Sequence, residues 1–371
     1  MQDADLTIIG GGLVGASIAW GLARSGVRPL VLDGSDLDLR ASRANFALVW
    51  VQGKGLHAPH YALWSARSAR EWPILAQALS EDSGIDVGLV QDGGFTFALS
   101  DEELASMHAD METIARETIG QAATFELLNG KETRARVPHL GPDVVGSIYS
   151  AADGHVNALR LFHALHVAMD RKGAIYRPNH NVDAIEPVAD GFVLRGEGFS
   201  IFSRKIVLAA GLDNERLAPM VGLACPLKRS KGQILVTEKC RPFLPCLSPT
   251  IRQADEGGIM IGDSEETDTA SITTSSDISA VLASRALRIF PALADLNVVR
   301  SWSGFRVKTV DGVPIYDQSE DYPGAFLVAC HSGVTLAANH SLIVAPQIAA
   351  SKLADDHSPF SARRFHAQAV A

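Results

Sequence analysis

The chain is poor in cysteine: Cys225, Cys240, Cys246 and Cys330 are all it has in 371 residues. So few, so irregularly spaced, provide neither a disulfide framework nor a zinc or iron–sulfur centre, and no metal site is expected. Reduced thiols fit a cytoplasmic protein, the localisation we expect. Positive charge is also short, with 33 Lys and Arg against 42 Asp and Glu. The net charge of -9 argues against a partner bound by phosphate neutralisation, so no nucleic acid is expected. The start, Met1-Gln2-Asp3-Ala4-Asp5, carries acids where a secretory leader carries bases. One uncharged run, Leu6 to Ala23, reaches the eighteen residues of a candidate membrane helix. Gly10, Gly11, Gly12 and Gly15 break it, and no transmembrane segment is expected. Internal repeats and disordered linkers are missing too. With 47% hydrophobic residues, the composition describes a globular chain long enough for about two domains.

The interrupting glycines carry the first positive signal. Leu6-Thr7-Ile8-Ile9 reads as a strand, Gly10-Gly11-Gly12 as a tight turn and Ala16 to Ala23 as a helix. Pro29-Leu30-Val31-Leu32-Asp33 then reads as a second strand ending on an acid. This is a β-α-β unit with the G-x-G-x-x-G spacing of a dinucleotide site. Gly10 permits the turn, Gly12 lets a pyrophosphate approach the backbone and Gly15 lets the helix pack on the strand. The free amides of the helix N-terminus favour an anion, and Asp33 can accept hydrogen bonds from a ribose diol.

Further along, a polar loop, Ala41-Ser42-Arg43-Ala44-Asn45-Phe46-Ala47, offers groups that reach a diphosphate, and a helix is expected from about His60 to Leu79. Two strands between Val87 and Leu99 are expected to form a hairpin through Gln91-Asp92-Gly93-Gly94. Ser100 and Glu103 have capping-box spacing and open a charged helix. Lys205 to Gly211 reads as a buried strand whose small end, Ala209-Ala210-Gly211, permits close approach of a ligand. The stretch from Pro226 to Ser301 is strand-rich with a helix near Ser276–Ile289, and the chain closes with a strand, a loop and a small-residue helix around Ala325 to Ala338.

Taken in order, the Gly-rich start, Ser42-Arg43-Ala44-Asn45, Ala209-Ala210-Gly211 and Gly304-Phe305-Arg306 followed by Asp311-Gly312-Val313-Pro314 resemble one family. It is the FAD-dependent amine and amino-acid oxidoreductases of the D-amino-acid oxidase superfamily, which includes glycine oxidase and sarcosine oxidase. The segments 42–55 and 330–338 look like those of the β subunits of bacterial opine oxidases. Related assemblies are hydrogen cyanide synthase and the hydroxyproline and proline dehydrogenases, where a separate iron–sulfur subunit accepts the electrons. The resemblance implies an α/β fold: a Rossmann-like FAD domain from 1–84, 147–218 and 302–371, and an α+β substrate domain on an antiparallel or mixed sheet from 85–146 and 219–301.

For the site, the resemblance places Gly10, Gly12, Leu13, Val14 and Gly15 at the diphosphate, and Asp33 with Gly34 at the adenosine ribose. Ser42, Arg43 and Asn45 lie along the cofactor, Val182 meets adenine through its backbone, and Ala209, Ala210 and Gly211 lie beside it. Ser332, Gly333, Val334 and Thr335 close on the flavin ring. Val307-Lys308 follows Arg306 with no cysteine, so noncovalent FAD is implied. Arg306 is the leading candidate for a flavin contact or a substrate-carboxylate clamp, with Arg252 second. His331 leads His57 and His60 as a candidate base.

The implied reaction is oxidation of an amino acid or secondary amine such as an opine, by hydride transfer to flavin N5 and hydrolysis of the resulting imine. The implied partners are that substrate and an iron–sulfur or flavin subunit. Two alternatives stand beside it: a self-sufficient oxidase releasing peroxide, and a flavin-binding structural subunit.

Overall fold

The computed structural model describes residues 2–35, 40–122, 124–244, 246–267 and 270–365; positions 366–371 of the expected FAD domain lie outside them. The chain opens as the glycine pattern predicts, with strand Gln2–Ile9, helix Leu13–Arg24 and strand Leu30–Leu32. The helix is largely uncharged because it is enclosed: Ile18, Trp20 and Leu22 are fully buried. Burying each such side chain stabilises the fold by about 1.5–3 kcal/mol.

Gln2–Ile9 lies inside an eight-stranded sheet. It pairs in parallel with Phe199–Leu208 on one side and Leu30–Leu32 on the other, and Ile175–Arg177 continues the parallel run. Ala325–Ala329 joins the far side of Phe199–Leu208 in parallel, and Ile315–Gln318 closes that edge in antiparallel. Ala184–Val188 and Gly191–Gly196 form an antiparallel extension of Phe199–Leu208. The carboxyl ends of Gln2–Ile9, Phe199–Leu208 and Ala325–Ala329 therefore come together. In open α/β sheets that is where ligands bind.

A four-stranded antiparallel sheet holds Ile251–Gln253, Ile259–Ile261, Leu227–Thr237 and Val298–Thr309 in that order. A three-stranded sheet holds Gly94–Ala98, Gly146–Ser150 and Glu126–Asn129. The fold is mixed α/β, with parallel and antiparallel sheets accompanied by helices. The boundary expected at 302 falls inside Val298–Thr309, which pairs with Leu227–Thr237 from Val298 to Thr309. The boundary at 146/147 likewise falls inside the strand Gly146–Ser150.

The hairpin expected over 87–99 does not form. Gly94–Ala98 pairs with Gly146–Ser150, while Val90 makes a lone bridge to His155. Gly93 does turn the chain, at φ +91°, but the long-range pairing buries Phe95 and Phe97 and wins over the local one. The Ser100 cap behaves as predicted: its side chain accepts from Glu103 N, and Glu103 reaches back to Leu99 N.

The helix Pro59–Ser83 reaches the closing loop through its buried Trp72. The indole donates from Nε1 to the carbonyls of Val334 and Thr335 at 3.2 and 3.1 Å. A helix over 337–349, widened by a π turn at His340–Val344, packs that end of the chain against Leu13–Arg24.

Candidate active site

A cavity of about 1040 Å³ opens along the strand ends. It stands at the upper end of the ~300–1,000 Å³ usual for small-ligand pockets, room for a large cofactor with a substrate beside it. Its wall begins at the glycine turn. Gly10 has φ +106°, and a Cβ there would lie 2.4 Å from the carbonyl oxygen of Ala209. A Cβ at Gly15 would lie 1.9 Å from the oxygen of Gly10, so the helix touches the turn only because both residues are glycine. Gly12 precedes the helix, and a Cβ on it would meet the Ser42 hydroxyl at 2.7 Å. That hydroxyl accepts from Leu13 N at 2.9 Å, which puts an oxygen where the helix N-terminus presents its first free amide.

Asp33 ends the second strand buried in the cavity wall. Its Oδ1 accepts from Arg40 Nη1 at 2.6 Å and from Gly34 N, and its Oδ2 accepts from the Tyr176 hydroxyl at 3.1 Å. Gly34, Leu13 and Val14 line the same wall. So do Val182, whose carbonyl accepts from Arg216, and Ala209, Ala210 and Gly211. Asn214 accepts from Ala210 N at 2.9 Å and fixes the turn after the strand.

Across the cavity runs the polar loop. Ser42 and Asn45 line it, whereas Arg43 turns away, its guanidinium 5.3 Å from the Phe162 ring. Asn45 donates to the carbonyls of Ala41 and Ser42 and accepts from Ala47 N, holding Ala47 at φ 59°. The loop lies close to the four-stranded sheet because Gly262 and Gly304 offer no side chain: a Cβ at either would meet Phe46 or Ala44 at 2.9 Å.

Arg306 rises from Val298–Thr309 opposite Ser230, beside Gly232, whose missing side chain leaves room for the guanidinium. Its Nη1 is buried without a hydrogen-bond partner, and the carboxylate paired with it, Asp263, is 3.9 Å away. His331 shares this part of the cavity. Burial together with Lys54, Arg306 and Lys308 holds its pKa well below the ordinary value. The imidazole is neutral. Ser332, Gly333, Val334 and Thr335 line the adjoining wall, with Thr335 Oγ1 accepting from Trp50 N and donating to Leu48 O.

The structure does not bring the other candidates to the cavity wall. Arg252 bonds through Nη1 to His155 Nδ1 at 2.8 Å and to Val156 O at 3.3 Å, and stands 5.9 Å from the Phe46 ring. Burial brings Arg252 down to about 10, and burial with the Arg252 charge brings His155 down to about 4. His57 is exposed against Glu117, and His60 packs edge-on to Phe360.

Six further residues, Arg40, Gln52, Lys54, Tyr61, Tyr176 and Asp153, shape the site without standing out in the sequence. Asp153 is fully buried, accepts from Val51 N and Gln52 Nε2 at 2.6 Å each, and is pushed up to about 7 by its burial. The sequence signal that points to this group is the pair of glycines around Lys54: Gly53 at φ +70° and Gly55 at φ +76° fix its backbone.

These features fit FAD. A turn that any Cβ would fill, helix amides capped by a lone hydroxyl and a buried acid at the strand end suit the dinucleotide part, and the unpartnered Arg306 nitrogen suits an anion near the flavin end. Comparison with known proteins agrees. A family model described as FAD dependent oxidoreductase (DAO) matches residues 5–346. The chain is 77% identical to the opine oxidase β subunit of Agrobacterium tumefaciens (strain Ach5), over 99% of each chain. It is 74% identical to the opine oxidase β subunit of Rhizobium meliloti, again over 99% of each. The crystal structure of glycine oxidase from Geobacillus kaustophilus superimposes with a TM-score of 0.88 at 27% identity, covering 97% of this chain and 98% of that one. The chain therefore belongs to the DAO family of FAD-dependent oxidoreductases.

Proposed function

We propose that the chain oxidises the carbon–nitrogen bond of an amino acid or secondary amine of the opine type, as the flavin-bearing subunit of a heteromeric dehydrogenase. The observation that carries this reading is Arg306, whose buried Nη1 lacks a partner beside neutral His331. A planar guanidinium with a free donor suits a carboxylate on the carbon to be oxidised. The identity to opine oxidase β subunits over nearly the whole chain supports the amine and the subunit role alike.

Bound FAD, held noncovalently, supplies the acceptor for a hydride from the substrate's α-carbon. The chain's part is to orient that carbon. Arg306 holds the α-carboxylate, the wall from Ser332 to Thr335 limits where the amine sits, and neutral His331 accepts a hydrogen bond from the substrate nitrogen. The imine that leaves hydrolyses in water, so an opine yields an amino acid and a 2-oxo acid.

Turnover of the co-purified assembly with an artificial electron acceptor and a panel of N-substituted amino acids tests this. The expected products are one amino acid and one 2-oxo acid in equal amounts. Oxidation of hydroxy acids and of no amine would overturn the reading.

A further inference from the structure

The cavity around His331 carries more positive charge than its walls neutralise. Lys54, Arg306 and Lys308 all act on that ring. Lys308 is matched by Glu265 at 2.7 Å. Arg306 has only the distant, largely exposed Asp263. Lys54 has no carboxylate: among the described residues its Nζ bonds to the Ser332 hydroxyl, which in turn meets the Tyr61 hydroxyl at 2.8 Å.

Lys54 is also held in place. Asp153 accepts from Val51 N and Gln52 Nε2, Gln52 donates to Gly94 O and accepts from Thr96, and Lys54 N donates to Val51 O at 3.1 Å. Gly53 N meets Met111 Sδ at 3.4 Å. A loop tied at each residue presents one ammonium, two of whose three donors remain for a ligand. Holding an unmatched cation in a partly dehydrated cavity is costly unless a ligand supplies the counter-charge.

We propose that Lys54 determines specificity by binding a second carboxylate of the substrate, so that the site takes N-carboxyalkyl amino acids, with one carboxylate on Arg306 and the other on Lys54. This deepens the amine-oxidation reading above and rests on it. Lys54 touches substrate and leaves the hydride step to the groups already described.

Two probes without an oxidisable amine test the assignment, thiodiacetate with two carboxylates and methylthioacetate with one. Each is titrated into the FAD-loaded assembly, followed by flavin absorbance and by calorimetry. In Lys54→Met, thiodiacetate affinity should fall at least tenfold more than methylthioacetate affinity, since a charge-assisted contact is lost for the first alone. Lys54→Arg, which keeps the charge and guards against a merely misfolded variant, should restore most of that difference. In turnover, Lys54→Met should raise KM for a dicarboxylate amine more than it lowers kcat. Equal losses for both probes, or none, would overturn the Lys54 assignment while amine oxidation stands. A wild-type assembly that binds neither probe and oxidises no amine would overturn both.

Discussion

At the scale of single residues, Arg306 is the group whose chemistry is most constrained. Its fork has one nitrogen buried and unpaired, and it reaches the cavity only because position 232 is glycine. Lysine at 306 keeps the charge and loses the planar pair of donors, so Arg306→Lys should lower kcat/KM for a carboxylated amine about tenfold or more. Steady-state kinetics at matched flavin content check this; unchanged kinetics with reduced flavin would move Arg306 to the cofactor. The residues most legible in the sequence are those whose task is local. Gly10, Gly12, Gly15 and Asp33 sit on one β-α-β unit, and their spacing alone places them. Arg43 and Arg252 have equally suitable chemistry yet turn to Phe162 and His155, because a one-dimensional pattern does not say which side of a loop or strand faces the cavity. Lys54 and Tyr61 are the converse: they meet Ser332 only after distant segments have packed.

At the scale of elements, two loops shape the cavity, and each hangs on a buried side chain. Trp72 donates to the carbonyls of Val334 and Thr335. Trp72→Phe keeps an aromatic ring but leaves those carbonyls without that donor. It should destabilise the protein by about 1–3 kcal/mol in urea unfolding and loosen flavin binding. The 50–54 loop hangs on Asp153, whose pKa is pushed up to about 7 by burial. The unfolded acid titrates near the ordinary aspartate value of about 4, so from about pH 4 to 7 the folded state holds a proton that the unfolded state has lost. This group's contribution therefore falls as pH rises across that window, by up to about 1.4 kcal/mol per unit, and is level above it. Buried His155, held down to about 4, acts in the opposite sense, losing stability as pH falls from about 6.5 to 4. The difference in unfolding free energy between wild type and Asp153→Asn isolates the first effect: the variant should gain on the wild type as pH rises from 4 to 7. A difference constant with pH would show that Asp153 is ionised throughout. Neither anchor is legible in the sequence. Trp72 reads as helix core, and Asp153 precedes a glycine as in any turn. The expected hairpin over 87–99 fails for a related reason: the local turn is present, but its strand partner lies in Gly146–Ser150.

At the scale of the molecule, the parallel sheet gathers the ends of three strands, and the four-stranded antiparallel sheet brings Arg306 to the cavity they open on. The sequence order of motifs anticipates that meeting, while the strand Val298–Thr309, crossing an expected domain boundary, does not follow from it. With four cysteines, none within a disulfide, the described residues offer no thiolate cluster to carry electrons onward. Electrons are thus expected to enter from an amine at this cavity and leave to a partner chain. Rapid anaerobic mixing of the FAD-loaded chain with an N-carboxyalkyl amino acid, followed by exposure either to air or to its co-expressed subunits with an acceptor, tests that expectation most directly. Flavin bleaching by the substrate alone, slow recovery in air and fast recovery with the partner are predicted; an unbleached flavin in every assembly, or fast recovery in air that the partner does not change, would contradict it.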